Sequence, residues 1–132
     1  MKTIQAIVER NEDAFFAYIP EIDGCVAGGE NYQEVKANLE EILEIFIAED
    51  EDLVGKYKNG YKIRFEVDLE SLFKLLPEIN ISQLARLGGI NPGLLRQYVS
   101  GTKKASEKQA ERVMDAIHKL IVKLNSIAVA NQ

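Results

Sequence analysis

The spacing of apolar side chains changes its period near Val67, and this change constrains the fold more than any other feature of the chain. Before that point, in residues 4–9 and 61–67, apolar and polar residues alternate, which predicts strands with one buried face. After it, apolar residues recur every three or four positions, which predicts helices. We therefore expect an α+β protein with a front segment, residues 1–67, and a rear segment, residues 68–132.

The front segment predicts the element order β-β-β-α-β. Strands are expected over residues 4–9, 14–19, 25–27 and 61–67, which are apolar or alternating and are separated by polar or glycine-containing turns. Asn31 and Glu34 have the spacing of a capping box, so a helix is expected to begin there. This helix must cover the sheet, because neither layer could bury its apolar side alone.

The rear segment predicts four helices and no strand. The first is short and ends at Pro77, because proline cannot continue a helix. Asn80 caps the second helix, and Asn91 caps the third, whose first position is Pro92. The fourth helix begins at Ser106 and is long.

Charge is divided along the chain in much the same way as the apolar period. Residues 1–80 contain 18 acidic and 8 basic side chains, whereas residues 81–132 contain 3 acidic and 8 basic ones. This division suggests an anionic front surface and a rear surface that binds a polyanion.

No apolar run approaches the roughly 18 residues of a membrane span, no signal peptide is recognisable, and the single cysteine excludes an internal disulfide. We expect a cytoplasmic protein with no membrane partner.

The run ISQLARLGGINPGLLRQYVSG has the residue pattern of two short helices joined by a tight turn. A small residue lies where the helices cross, a glycine permits the turn, and apolar residues fill the angle between them. The positions that follow this pattern are Leu84, Ala85, Gly89, Ile90, Leu95, Tyr98 and Gly101. From Ile81 to about Leu120 the chain resembles the lambda-repressor-like (XRE) helix-turn-helix family. A helical bundle that binds no DNA remains the alternative.

The resemblance implies that the third rear helix enters the major groove of double-stranded operator DNA. Arg96 suits a guanine edge and Gln97 an adenine edge, while Lys103 and Lys104 suit phosphates. The expected DNA-binding residues are Ser82, Gln83, Asn91, Pro92, Gly93, Arg96, Gln97, Thr102, Lys103 and Lys104. Ile81 stands where the family often has a phosphate-binding glutamine, so Ser82 or Gln83 would have to replace that contact.

The stretch AFFAYIPEIDGCVAGGENYQEVKANLEEILEIF resembles the HicB antitoxins. The shared features are an aromatic strand, a proline with an acidic residue, a glycine–cysteine turn and a glycine before the helix, here Phe15 to Ile19, Pro20, Glu21, Gly24, Cys25 and Gly29. Asp23 departs from the proline that the family often has. The resemblance covers residues 2–67 and implies a reduced ribonuclease-H-like fold.

Together the two resemblances imply an antitoxin of a type II (HicA–HicB) toxin–antitoxin system. Such a protein binds and neutralises a small basic HicA-type ribonuclease that cleaves mRNA, and it represses the operon that encodes both. The toxin-facing residues stay open, because alternation does not decide which face of strand 14–19 packs on the helix. One recognition helix reads few base pairs, so a homodimer or larger homo-oligomer is expected.

Two other functions stay open. The first is an orphan transcriptional regulator whose front segment senses a ligand or another protein. The second is a ribonuclease-H-like nuclease, but the carboxylates of Glu40, Glu41 and Glu44 lie on one predicted helix, where adjacent side chains point apart. Cys25 and His118 are not expected to form a catalytic pair, because Cys25 lies in a short apolar strand and His118 on a distant helix. We therefore expect a protein that is not an enzyme, with no catalytic residue, metal ligand or cofactor.

Overall fold

A five-stranded mixed sheet and helices make up the computed structural model, which describes residues 1–129. The strands are β1 (Lys2–Arg10), β2 (Phe15–Tyr18), β3 (Val26–Gly29), β4 (Tyr61–Val67) and β5 (Ala105–Ser106). Their order in the sheet is β3-β2-β1-β4-β5. The central strands β1 and β4 are parallel, and all other neighbours are antiparallel. The predicted α+β class is confirmed.

Two helices lie between the third and fourth strands, and the other four follow the fourth strand. They are α1 (Tyr32–Ala48), α2 (Glu51–Lys56), α3 (Leu69–Phe73), α4 (Ile81–Gly88), α5 (Pro92–Val99) and α6 (Glu107–Ile127). Four of the predicted N-caps are present: Asn31, Asn80, Asn91 and Ser106 each accept a hydrogen bond from the backbone N–H three residues later. Helix α2 was not predicted, because six residues are too few to display a helical period.

Helix α1 covers the sheet face formed by the inward side chains of the front strands. Ile4, Ala6 and Val8 of β1 are fully buried, as are Leu39 and Leu43 of α1. This arrangement confirms the predicted two layers, each of which hides the apolar side of the other from water.

The structure decides which face of β2 is inward. Ala17 is fully buried and the following Ile19 is almost so, whereas Phe16 is 37% exposed. Phe16, Tyr18 and the neighbouring Val26 therefore lie on the sheet face opposite α1. Val26 is 52% exposed, so this outer face carries accessible apolar surface.

The rear segment is not wholly helical, which corrects the prediction. Ala105 and Ser106 form β5 and pair with Val67 and Glu66 of β4. Two residues show no period in a sequence, so this strand exists only because the front sheet offers an edge for pairing. Through it the rear segment joins the sheet of the front segment, and buried side chains from both segments form one core cluster.

A second link joins the start of α6 to α1. Lys36 Nζ and Tyr32 Oη both donate to Glu107 Oε2, at 2.6 and 2.9 Å. Burial, and after it the hydrogen bond to Glu107, raises the pKa of the Tyr32 hydroxyl. The phenol therefore stays a protonated donor at neutral pH.

None of the helices within residues 1–129 has a stretch long and apolar enough to cross a lipid bilayer. The predicted boundary at Val67 stays a prediction. The last three residues of the expected segment 68–132 lie outside the described residues.

We predict that the Cys25 thiol is unreactive in the native protein. The residue is 1% exposed, and burial raises the pKa of its thiol, so little thiolate forms at neutral pH. Alkylation by iodoacetamide, followed by mass spectrometry, should be slower by on the order of a hundredfold in buffer than in denaturant. Similar rates in the two solvents would contradict this burial.

Candidate nucleic-acid interface

Helices α4 and α5 meet at a tight connection built from Gly89, Ile90 and Asn91. Gly89 has φ 65° and ψ 33°, a left-handed conformation that ends α4 and that glycine adopts without strain. The N–H of Ile90 then donates to Ala85 O at 2.8 Å. Asn91 accepts from the Leu94 N–H at 3.0 Å and so begins α5.

The side of this helix pair that faces the core contains the predicted residues. The buried ones are Leu84, Ala85, Ile90, Leu95 and Tyr98, each no more than 6% exposed. Gly101, which follows α5, has φ 83° and turns the chain away from the helix. All seven positions of the pattern thus have the predicted burial or turn conformation, with Gly89 and Gly101 at the turns.

Gly88 has a packing role that the sequence pattern did not identify. A Cβ atom at this position would overlap the Ala116 Cβ. Helices α4 and α6 therefore cross closely at Gly88. No local signal separates Gly88 from Gly89, because the partner is 28 residues away and is brought close only by tertiary packing.

The opposite side of α5 is exposed and polar. Arg96 and Gln97 both face solvent. The Arg96 guanidinium donates through Nη1 to Ser82 Oγ at 3.0 Å, across the gap between α5 and α4. Two of the predicted DNA-binding residues are thereby brought together.

The loop after α5 is held against the end of that helix. The Lys103 N–H donates to Gln97 O at 3.2 Å, and Ser100 Oγ lies 2.9 Å from Thr102 Oγ1. Thr102, Lys103 and Lys104 are exposed. The arrangement presents two lysines beside the exposed face of α5.

The remaining predicted DNA-binding residues have fewer side-chain groups available for contacts with DNA. Gln83 and Asn91 are exposed, but the Asn91 side-chain oxygen is already occupied as the cap of α5. Pro92 and Gly93 are half-buried at the first turn of that helix. They therefore offer backbone and small apolar surface rather than charged groups.

One basic residue at this site was missed by sequence reasoning. Arg112, on α6, donates through Nη2 to Gly89 O at 3.0 Å and so braces the connection between α4 and α5. It lies 23 residues from Gly89 in the chain, and no local pattern links the two. Only the packing of α6 against α4 brings them together.

The described residues do not supply the constellation that a metal-dependent nuclease requires. Within residues 1–129 no three histidine, cysteine, aspartate or glutamate side chains converge into a possible metal site. Cys25 is buried directly before β3, whereas His118 is exposed on α6. Neither the carboxylates nor this pair therefore forms a recognisable catalytic group.

Comparison with known proteins gives one partial match. The chain is 35% identical over 46 residues to a UPF0150 protein of Helicobacter pylori (strain J99 / ATCC 700824). The match covers 35% of this chain and spans 64% of the length of that relative. No family model matches the sequence, and no solved structure matches it. Over about a third of its length, therefore, this chain is similar to a UPF0150 protein.

Proposed function

We propose that this protein is a HicB-type antitoxin that neutralises a small HicA-type ribonuclease and represses its own operon by binding operator DNA in the cytoplasm. The observation that carries the proposal is the pair α4 and α5, whose tight turn leaves Arg96 and Gln97 exposed on the second helix. In the proposal this pair is a helix-turn-helix of the lambda-repressor-like kind.

The charge around the pair supports DNA binding. Residues 81–132 carry 8 basic and 3 acidic side chains, and the loop lysines lie beside the exposed face of α5. Arginine in the major groove recognises guanine through two donors, while lysines near phosphates give affinity without sequence preference. Arg96 therefore reads a base, and Lys103 and Lys104 position the protein.

We predict that Arg96→Ala weakens binding to the operator by about 1–3 kcal/mol and relaxes base preference at one position. Lys104→Ala should weaken binding to all sequences alike and flatten the salt dependence. Fluorescence anisotropy with DNA from upstream of the gene, and with a shuffled sequence, measures both effects. Lys58→Ala, a loss of the same charge in the front segment, serves as control. Equal loss of affinity on both DNAs for Arg96→Ala would remove Arg96 from base recognition.

The similarity to a UPF0150 protein supports the antitoxin half of the proposal, because UPF0150 is the HicB-like family. The acidic excess of residues 1–80 also supports it, since an RNA-binding toxin is basic and negative charge attracts it. The test is co-purification with the product of a short reading frame beside the gene, followed by a ribonuclease assay with and without this chain. If this chain neither binds nor inhibits the product of that reading frame, the antitoxin function is refuted and the orphan-regulator function is favoured.

The division of labour at Val67 is part of the proposal. Because β5 and the start of α6 contact the front sheet and α1, the removal of either segment would expose apolar surface of the other. Substitutions in the full chain therefore test the division better than fragments. Arg96→Ala should leave toxin inhibition unchanged.

We further propose that the protein is a homodimer or larger homo-oligomer paired through the end of α6. Ile121, Leu124 and Ile127 are 45%, 53% and 66% exposed. Leu124 and Ile127 line a shallow groove together with residues of α4. A second copy would remove this apolar surface from water, which is favourable by roughly 25 cal/mol per Å². It would also set two recognition helices about 34 Å apart, or a multiple of that distance.

We predict that a chain ending after Lys119 loses its oligomeric state and binds the operator more weakly. The reason is the loss of the exposed apolar side chains beyond that residue. Light scattering at micromolar concentration and operator titration measure the two effects. Val54→Ser, which reduces exposed apolar surface on α2, is the control. A full-length protein that is monomeric at that concentration would refute the pairing.

A further inference from the structure

A groove lies between the front segment and α6, at the junction of the two parts of the chain. Its volume is about 430 Å³. Phe15 and Tyr32 of the front segment line one side of it. Leu72 of α3 and Met114 of α6 also line it. The lining is therefore mainly apolar, and it is made by residues that come together only in the folded chain.

The rim of this groove is acidic although the surrounding segment is basic. Glu107, Glu111 and Asp115 all line it, and they are the only acidic residues between positions 81 and 132. Their spacing of four places them on neighbouring turns of α6. Glu107 is paired with Lys36, whereas neither Glu111 nor Asp115 forms an ion pair within residues 1–129.

The helix dipole does not account for this arrangement. Acidic residues are favourable in the first turn of a helix, and Glu107 lies there. That effect falls off within one turn, and Asp115 lies two turns further along α6. Two exposed carboxylates next to an apolar floor match instead a side chain that has an apolar stem and a cationic end.

We propose that this groove docks a basic segment of the toxin, with a lysine or arginine whose stem lies over Met114 and Leu72 and whose charge meets Glu111 and Asp115. The inference deepens the proposed function and rests on it for the identity of the partner. Charge complementarity selects this occupant, because an RNA-binding protein carries basic residues and two carboxylates of the groove, those of Glu111 and Asp115, form no ion pair within residues 1–129. The nearby cations Lys36 and Arg10 lie instead at Glu107 and over the Phe15 ring. The toxin would then contact both the front segment and the helix that braces the DNA-binding pair.

The test is a titration of the full ¹⁵N-labelled chain with a blocked six-residue peptide of three lysines and three leucines. The same peptide with glutamate in place of lysine is the matched probe. We expect the lysine peptide to shift the amide signals of Met114, Leu72 and Phe15 in a saturable way, and the glutamate peptide to leave them unchanged. No saturable binding of the lysine peptide, or equal binding of the two peptides, would overturn the proposal.

Variants separate the rim from general charge attraction. The double variant Glu111→Gln with Asp115→Asn should bind the lysine peptide about three- to tenfold more weakly. Glu41→Gln with Glu44→Gln makes the same change in net charge on the exposed side of α1 and should change affinity by less than about twofold. Equal weakening by both pairs would mean diffuse attraction to the acidic front and would refute the groove.

A further pair of variants tests the apolar floor. Met114→Trp should fill the groove and abolish the saturable shifts, whereas Met114→Leu should keep them, because it preserves apolar volume. Retained binding in a folded Met114→Trp protein would also refute the site. These readouts involve neither DNA nor the toxin, so the groove can fail while operator binding by Arg96 stands, and the reverse.

Discussion

Leu95→Ala is expected to lower the free energy of unfolding by about 2–5 kcal/mol, the largest effect that we predict. Leu95 is fully buried between the helices of the candidate DNA-binding pair and the rest of the core. The truncation removes apolar contacts and leaves a cavity that a close-packed interior cannot fill. Urea denaturation followed by circular dichroism measures the change.

Leu75→Ala is the matched control for this substitution. The side chain is 36% exposed, so its loss should cost less than about 1 kcal/mol. Because one cluster of buried side chains includes residues of both segments, Leu95→Ala should lower a single cooperative transition. Two separate transitions, with only one affected, would show that the segments unfold independently.

Gly29→Ala is expected to destabilise the protein by about 1–3 kcal/mol. A Cβ atom at this position would lie 2.6 Å from the Val35 backbone nitrogen and 2.9 Å from its Cα. These atoms belong to the first turn of α1, which the Asn31 cap and its hydrogen bonds hold in place. The strand β3 and the helix would have to separate, and thermal unfolding would measure the cost.

Gly55→Ala should have the opposite effect and is the control for Gly29. Gly55 lies within α2, and a Cβ there would meet no atom within 4 Å. Alanine restricts the unfolded chain and favours a helix, so stability should rise by about 0.5–1 kcal/mol. A stabilised Gly29→Ala protein would mean that β3 and α1 do not approach as closely as the structure has them.

The link between the segments gives the proposed function a mechanical basis. Glu107 begins α6, is held by Lys36 and Tyr32 of α1, and follows directly after β5. The same helix carries Arg112, which contacts the turn between α4 and α5. A partner that binds beside Glu107 would therefore act on a helix that also supports the proposed DNA-reading surface.

Local features were predictable from the sequence because their causes lie within a few residues. Asn31, Asn80, Asn91 and Ser106 cap helices through the N–H three residues on, and the short-range pattern contains both partners. The alternation of residues 61–67 is likewise local, because successive side chains of a strand point to opposite faces and one face of this strand is buried. The α+β class followed from these periods.

The tertiary structure decided what depends on distant partners. The sequence by itself determined that β2 is a strand, but only packing against α1 decided that Ala17 faces inward and Phe16 outward. In the same way β5 required the edge of β4, Gly88 required the approach of Ala116, and the acidic groove required the junction of both segments. Periodicity shows which side chains of one helix or strand share a face. It does not show which other element covers that face, because this depends on how apolar area is buried across the whole fold.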